Sequence, residues 1–232
     1  MKLGKLLLLG SAMFMTHAVM ADKVLWQNDF EKNEDLWSGC FGQPLTGFSC
    51  QWQVTDRQCG DGGNMTIIFK GLTAEEKFSG EKSLKLEISA KLGDFFYFHS
   101  KPLSEKIALK PNLYFSGYLY RGSEIDSKML IKVCPRFETI RLKDNKKTFF
   151  EYMPGGYSPT DELEPQSAQN WYGFNVELLP EISKVCEKDK YSLKDTFFIG
   201  WSIKICGVLG EKPLKIYVDD LKLYEKEEKK QE

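Results

Sequence analysis

The sequence predicts an all-β fold, a sandwich or a barrel. Short runs rich in β-branched and aromatic residues recur along the chain. In the clearest of them, Leu84, Leu86 and Ile88 alternate with Lys85 and Glu87, the period of a half-buried strand. Clusters holding Gly, Pro, Asn or Asp separate several of these runs. No long amphipathic helical pattern appears.

In chain order, residues 1–21 read as a leader. Lys2 and Lys5 precede an apolar run over 6–15, and Ala18-Val19-Met20-Ala21 offers small residues at a cleavage site. Cleavage is expected after Ala21, and the product is expected outside the cytoplasm, secreted or periplasmic. No cysteine follows the apolar run, so lipid attachment there is not expected. One sandwich domain is expected over 22–224, with a charged tail over 225–232.

The first strand signal covers 24–31. Residues 38–63 are rich in Gly, hold three cysteines and read as a loop. A turn over 78–83 leads into the strand at 84–88, and further strands are expected over 95–100, 113–121 and 129–134. Residues 143–170 read as a long loop, rich in Gly and Pro, that could cover a groove. The strands at 171–179, 197–206 and 214–224 complete the set, with one short helical turn at most over 181–190.

Loss of the leader would leave 30 basic against 33 acidic residues. That balance gives no cationic surplus for a phosphate backbone, which argues against nucleic acid. All six cysteines lie beyond the leader: Cys40, Cys50, Cys59, Cys134, Cys186 and Cys206. An even count in an exported chain favours disulfides, though spacing does not choose the pairing. His99 is then the one histidine, which removes most histidine-based catalysis.

Two motifs carry carboxylates where a strand is normally apolar: Asn28-Asp29-Phe30-Glu31 near the front and Tyr217-Val218-Asp219-Asp220-Leu221 near the back. Buried carboxylates are costly unless paired or bound to a cation. If first and last strands are neighbours, these acids can meet. Asp219 shares parity with Tyr217, Leu221 and Leu223, so it is expected to point inward, with Asp220 facing out.

Asn28-Asp29-Phe30-Glu31 with Trp37 resembles the opening of secreted carbohydrate-binding modules with the galactose-binding-like jelly-roll fold. Ser79-Gly80-Glu81-Lys82-Ser83-Leu84, then Tyr114-Phe115-Ser116-Gly117-Tyr118, then the back motif follow in the same order. The resemblance implies a jelly-roll β-sandwich and a glycan or polysaccharide partner. It also implies a structural calcium where first and last strands meet, with Glu31 and Asp219 as ligands and Asp29 and Asp220 as weaker candidates. Calcium takes oxygen ligands of this kind. The bland alternative is strand-end acids that are solvated or paired with Lys82 or Lys215.

The run 113–121 has two faces. Leu113, Phe115, Gly117 and Leu119 read as core, while Tyr114, Ser116, Tyr118 and Tyr120 lie opposite. Sugar C–H faces stack on aromatic rings, so Tyr114, Tyr118 and Tyr120 are glycan-contact candidates. Trp171, opposite in parity to Tyr172, Phe174 and Val176, joins them. Cross-strand tyrosine packing beneath a loop is the structural alternative. Trp201 shares parity with Ile199, Ile203 and Ile205 and reads as core.

Catalytic patterns are poor. Glu124-Ile125-Asp126 opens like the paired-carboxylate strand of jelly-roll glucanases, but Lys128 stands where the second carboxylate of the pair is needed. Asp94, Tyr97 and His99 could form a lyase-like group. The sequence therefore points to non-catalytic glycan binding. A polysaccharide hydrolase or lyase on a jelly roll, or a protein-binding adhesive domain, are the alternatives.

Overall fold

The computed structural model describes residues 22–32, 37–44, 65–90, 94–122, 130–154, 170–206 and 212–227. Residues 1–21, read above as a leader, lie outside them, as do Cys50, Cys59, Glu124, Asp126, Lys128 and the middle of the 143–170 segment. So do the side chains of Cys40, Asp94, Tyr97 and Cys206.

The strands are β1 (Lys23–Asn28), β2 (Trp37–Pro44), β3 (Met65–Thr73), β4 (Ser83–Ala90), β5 (Asp94–Ser100) and β6 (Ile107–Ala108). They continue with β7 (Leu113–Arg121), β8 (Leu130–Arg141), β9 (Lys146–Glu151), β10 (Trp171–Glu177), β11 (Phe197–Cys206) and β12 (Leu214–Glu225). One α-helix, α1 (Leu178–Asp189), follows β10. The first sheet runs β10-β7-β12-β4-β3, with β1 also paired to β12; the second runs β2-β5-β11-β8-β9, with β6 also paired to β11. The fold is a β-sandwich, as expected.

The core forms between the sheets because alternation gives each strand one apolar face. Leu84, Leu86 and Ile88 of β4 and Leu113, Phe115 and Leu119 of β7 pack against Ile203, Ile205 and Trp201 of β11 in one buried cluster. Phe30 meets Trp201 edge-on with centroids 6.0 Å apart, and Phe115 lies 5.8 Å from Phe198. Trp201 is core, as its parity predicts.

Several elements differ from the sequence reading. The start of the 38–63 segment is β2, and β9 occupies part of the 143–170 segment. β3 and β6 carry no clear alternation and were not anticipated. The expected helical turn is a full helix of 12 residues. Leu178, Ile182 and Cys186 form its buried stripe, and Pro180 sits in the first turn, where a missing N–H is tolerated. The expected 171–179 strand therefore stops at Glu177.

The largest correction concerns β12. Its pairing with β7 shifts register between Asp219 and Lys222, and Asp220 has φ 49°. This bulge inserts an extra residue and reverses the parity. Tyr217 and Asp219 thus share the tyrosine face, while Leu221 and Leu223 turn into the core. Asp219 does not point inward with those leucines; it is buried from the other side.

Candidate functional site

Register places three strands side by side on the outer face of the first sheet. Tyr120 is flanked by Trp171 of β10 and Tyr217 of β12, and Tyr118 by Gly173 and Asp219. Ser116 lies between Asn175 and Lys222, and Tyr114 between Glu177 and Tyr224. The predicted tyrosine face exists, and Trp171 is on it.

The segment 74–82, which joins β3 to β4, covers the upper half of this face. Phe78 stacks on Tyr118 with centroids 3.4 Å apart and planes 15° from parallel, and meets Trp171 edge-on at 6.0 Å. Tyr120 is 7% exposed and packs between Trp171 at 5.4 Å and Tyr217 at 5.6 Å. Tyr217 donates its hydroxyl to Glu75 Oε2 at 2.9 Å, and Lys85 bridges to Glu75 and Glu87. Burial, followed by the Glu75 carboxylate, pushes the Tyr217 phenol well above its ordinary range. Neither Tyr118 nor Tyr120 presents a free ring face to a ligand.

The two acids hold that segment. Asp219 Oδ2 accepts the backbone N–H groups of Phe78 at 2.9 Å and Ser79 at 3.1 Å, and Oδ1 accepts that of Asp220 at 2.8 Å. Glu31 Oε1 accepts those of Glu81 at 2.7 Å and Lys82 at 3.2 Å. Gly80 lies between them with φ 60°, and a Cβ there would stand 1.9 Å from Glu31 Oε1. No other residue fits that turn without moving the carboxylate. Asp29 Oδ1 accepts the Glu31 N–H, and Asp220 Oδ2 accepts the Ser79 hydroxyl. Burial raises the Asp219 carboxyl above its ordinary range, partly offset by the Ser79 and Phe78 amides.

These bonds already engage three of the four carboxylate oxygens of Glu31 and Asp219. Calcium needs about six to eight oxygens, whereas these two carboxylates face N–H hydrogens. Among the described residues, no group of three or more His, Cys, Asp or Glu is placed to hold a metal ion.

The lower half of the face is more open. Tyr114 and Tyr224 stack with centroids 5.5 Å apart and planes 19° from parallel. Asn175 Nδ2 donates to the Tyr224 hydroxyl at 2.9 Å, Tyr114 donates to Glu177 Oε2 at 3.3 Å, and Lys226 Nζ lies 5.6 Å from the Tyr114 ring centroid. Sequence reasoning missed Tyr224, because the bulge hides its parity, and Phe78, because it belongs to no strand. Asn175 was legible: it alternates with Trp171 and Gly173.

On the second sheet, His99 does not stand alone. Its Nε2 lies 2.8 Å from Glu151 Oε1, a partner on β9 that no local motif announces. Among the described residues, no helix is long and apolar enough to cross a membrane.

No family model and no curated protein matches the chain. Solved structures do match, and several are carbohydrate-binding modules with β-sandwich folds. The family 30 module of the cellulosomal cellulase Cel9D-Cel44B of Clostridium thermocellum is 9% identical, with TM-score 0.49, over 88% of this chain and 100% of that one. The family 11 module of Lic26A-Cel5E from the same organism is 10% identical, with TM-score 0.44, over 92% and 100%. A structure of carbohydrate-binding modules from the β-sandwich superfamily is 12% identical, with TM-score 0.46, over 88% of this chain; the match spans 63% of that longer chain.

Proposed function

We propose that this chain is an exported, non-catalytic glycan-binding domain whose ligand lies on the open half of the tyrosine face. The observation that carries this reading is the stacked Tyr114–Tyr224 pair with the Asn175 amide beside it. Rings offer apolar area to sugar C–H groups, and amide, hydroxyl and carboxylate groups serve sugar hydroxyls. Trp171 stands at the upper rim, while Tyr118 and Tyr120 support the floor beneath Phe78. The leader-like residues 1–21 support export.

A glycan array on the chain lacking its leader, followed by calorimetry on each hit, tests this. Tyr114→Ala and Tyr224→Ala should each weaken binding up to about tenfold, given about 0.5–1.5 kcal/mol per stacked ring contact. Binding unchanged in both variants would remove the ligand from this face. Cleaved products from a polysaccharide panel would favour an enzyme instead.

A further inference from the structure

The segment 74–82 closes the upper part of the tyrosine face, and it does so with one ring. Tyr118 lies over Gly173 of β10: three of its ring atoms are 3.1–3.9 Å from where a Cβ of Gly173 would stand. The glycine thus lets the phenol ring lie along the sheet, with one face toward β10 and the other outward. Phe78 takes the outward face, its plane 15° from parallel. Its edge meets Trp171, so the same ring closes both aromatics above the Ser116 row.

What holds Phe78 there is the chain around it rather than the ring. On one side, Glu75 accepts the Tyr217 hydroxyl at 2.9 Å and the Lys85 ammonium, and the Glu76 carbonyl accepts the Ser83 hydroxyl. On the other, the fully buried Asp219 accepts the N–H groups of Phe78 and Ser79, and Glu31 accepts those of Glu81 and Lys82. Phe78 therefore sits between two anchored ends, and its own N–H is one of the anchors. The residue is nevertheless nearly half exposed, so burial of its ring supplies little of the fixing. A ring fixed by its neighbours and open to solvent serves less as core than as an end wall.

We propose that Phe78 sets the length of glycan that this face accepts. The inference rests on the reading given above, a glycan on the Tyr114–Tyr224 half. Alternate residues of a strand are roughly 7 Å apart, so Tyr114 and Tyr118 are roughly 14 Å apart. A glycan that stacks on Tyr114 and Tyr224 and runs up the strands passes Ser116, Asn175 and Lys222. It then meets Phe78 and stops, because the outward face of Tyr118 is filled. The ligand class is therefore a short oligosaccharide or the end of a chain, not the interior of a long chain laid along the strands. Loss of the Phe78 ring would join Tyr118 and the edge of Trp171 to the lower pair as one longer platform.

Calorimetry of the purified protein with the di-, tri- and hexasaccharides of cellulose, xylan and mannan tests the proposal. In the unaltered protein, affinity should rise to the trisaccharide and no further. In Phe78→Ala the hexasaccharide should bind more tightly than the trisaccharide, by up to about tenfold, the gain of a newly stacked ring. Adding Tyr118→Ala to Phe78→Ala should abolish that gain. Phe78→Leu keeps an apolar side chain over Tyr118 and should behave as the unaltered protein does. NMR of the unaltered protein with the hexasaccharide decides the matter even if Phe78→Ala fails to fold: sugar protons should show nuclear Overhauser contacts to the Tyr114 and Tyr224 rings and none to Tyr118. Four results would overturn the proposal while leaving the Tyr114–Tyr224 site intact. They are a hexasaccharide preference in the unaltered protein, sugar contact with Tyr118 there, an unchanged length profile in Phe78→Ala, and hexasaccharide binding lost in that variant. Binding indifferent to both Tyr114→Ala and Tyr224→Ala, or no binding in any of the three series, would overturn the proposal along with the reading on which it rests.

Discussion

Phe78 lies flat on Tyr118, ring centroids 3.4 Å apart and 15° from parallel, so the chain itself occupies the place a sugar ring would take on that tyrosine. Phe78→Ala should uncover Tyr118 and the edge of Trp171. Because Phe78 is 43% exposed, the expected loss is that of an aromatic pair, about 0.5–1.5 kcal/mol, measured by denaturant unfolding. A loss above about 3 kcal/mol would mean that the 74–82 segment is held chiefly by this ring rather than by the two carboxylates.

The carboxylates are expected to matter as amide caps. Asp219→Ala strands three backbone N–H groups and Glu31→Ala strands two. Each change should cost about 1–3 kcal/mol of stability. Amide hydrogen exchange at residues 78–82 should accelerate in both variants; exchange left unchanged would refute the capping role.

The same geometry bears on calcium. A cation bound only by the native state stabilises by about 2.7 kcal/mol at a hundredfold excess over its dissociation constant. With these oxygens facing amide hydrogens, the melting temperature should not respond to calcium or to chelator. A fall on chelation, lost in Asp219→Ala and accompanied by calcium in metal analysis, would instead establish the ion here with the 78–82 turn rearranged.

Glu75 sets a pH dependence. Hydrogen bonds from Lys85 and then Tyr217 hold its carboxyl below the ordinary value of 4.5. A depressed acid contributes stability above its unfolded-state pKa and loses it as pH falls through the folded-state value. The stability difference between the unaltered chain and Glu75→Gln should therefore be constant above about pH 5 and shrink below 4.5. Glu75 is half exposed, so the difference should stay within about 1 kcal/mol. A difference that is flat down to pH 2 would contradict the assignment.

Cys134 and Cys186 are buried free thiols, and burial pushes both above the ordinary thiol range. They should resist a thiol reagent in the native protein and react once it is denatured without reductant. A count of two would leave the remaining four cysteines to the disulfides expected of an exported chain. A count of six would rule such disulfides out.

How much of this was legible can be judged on β7 and β12. On β7 the period of two was enough: Leu113, Phe115 and Leu119 are core, and Tyr114, Ser116, Tyr118 and Tyr120 share the other face. On β12 the same rule failed, because the bulge at Asp220 moves Asp219 onto the tyrosine face. A bulge answers to its partner strand, more than 90 residues away in sequence here, and leaves no sure local mark.

The sequence by itself determined the all-β class, the sidedness of its regular strands and the core place of Trp201, because alternation is a local property. Only the tertiary structure decided what covers each face. Phe78 closes over Tyr118, Asp219 turns to amides, and His99 reaches Glu151 across two intervening strands. These contacts join residues about 40 to 140 positions apart, and the free energy of burying or pairing them exists only once the sheets have assembled.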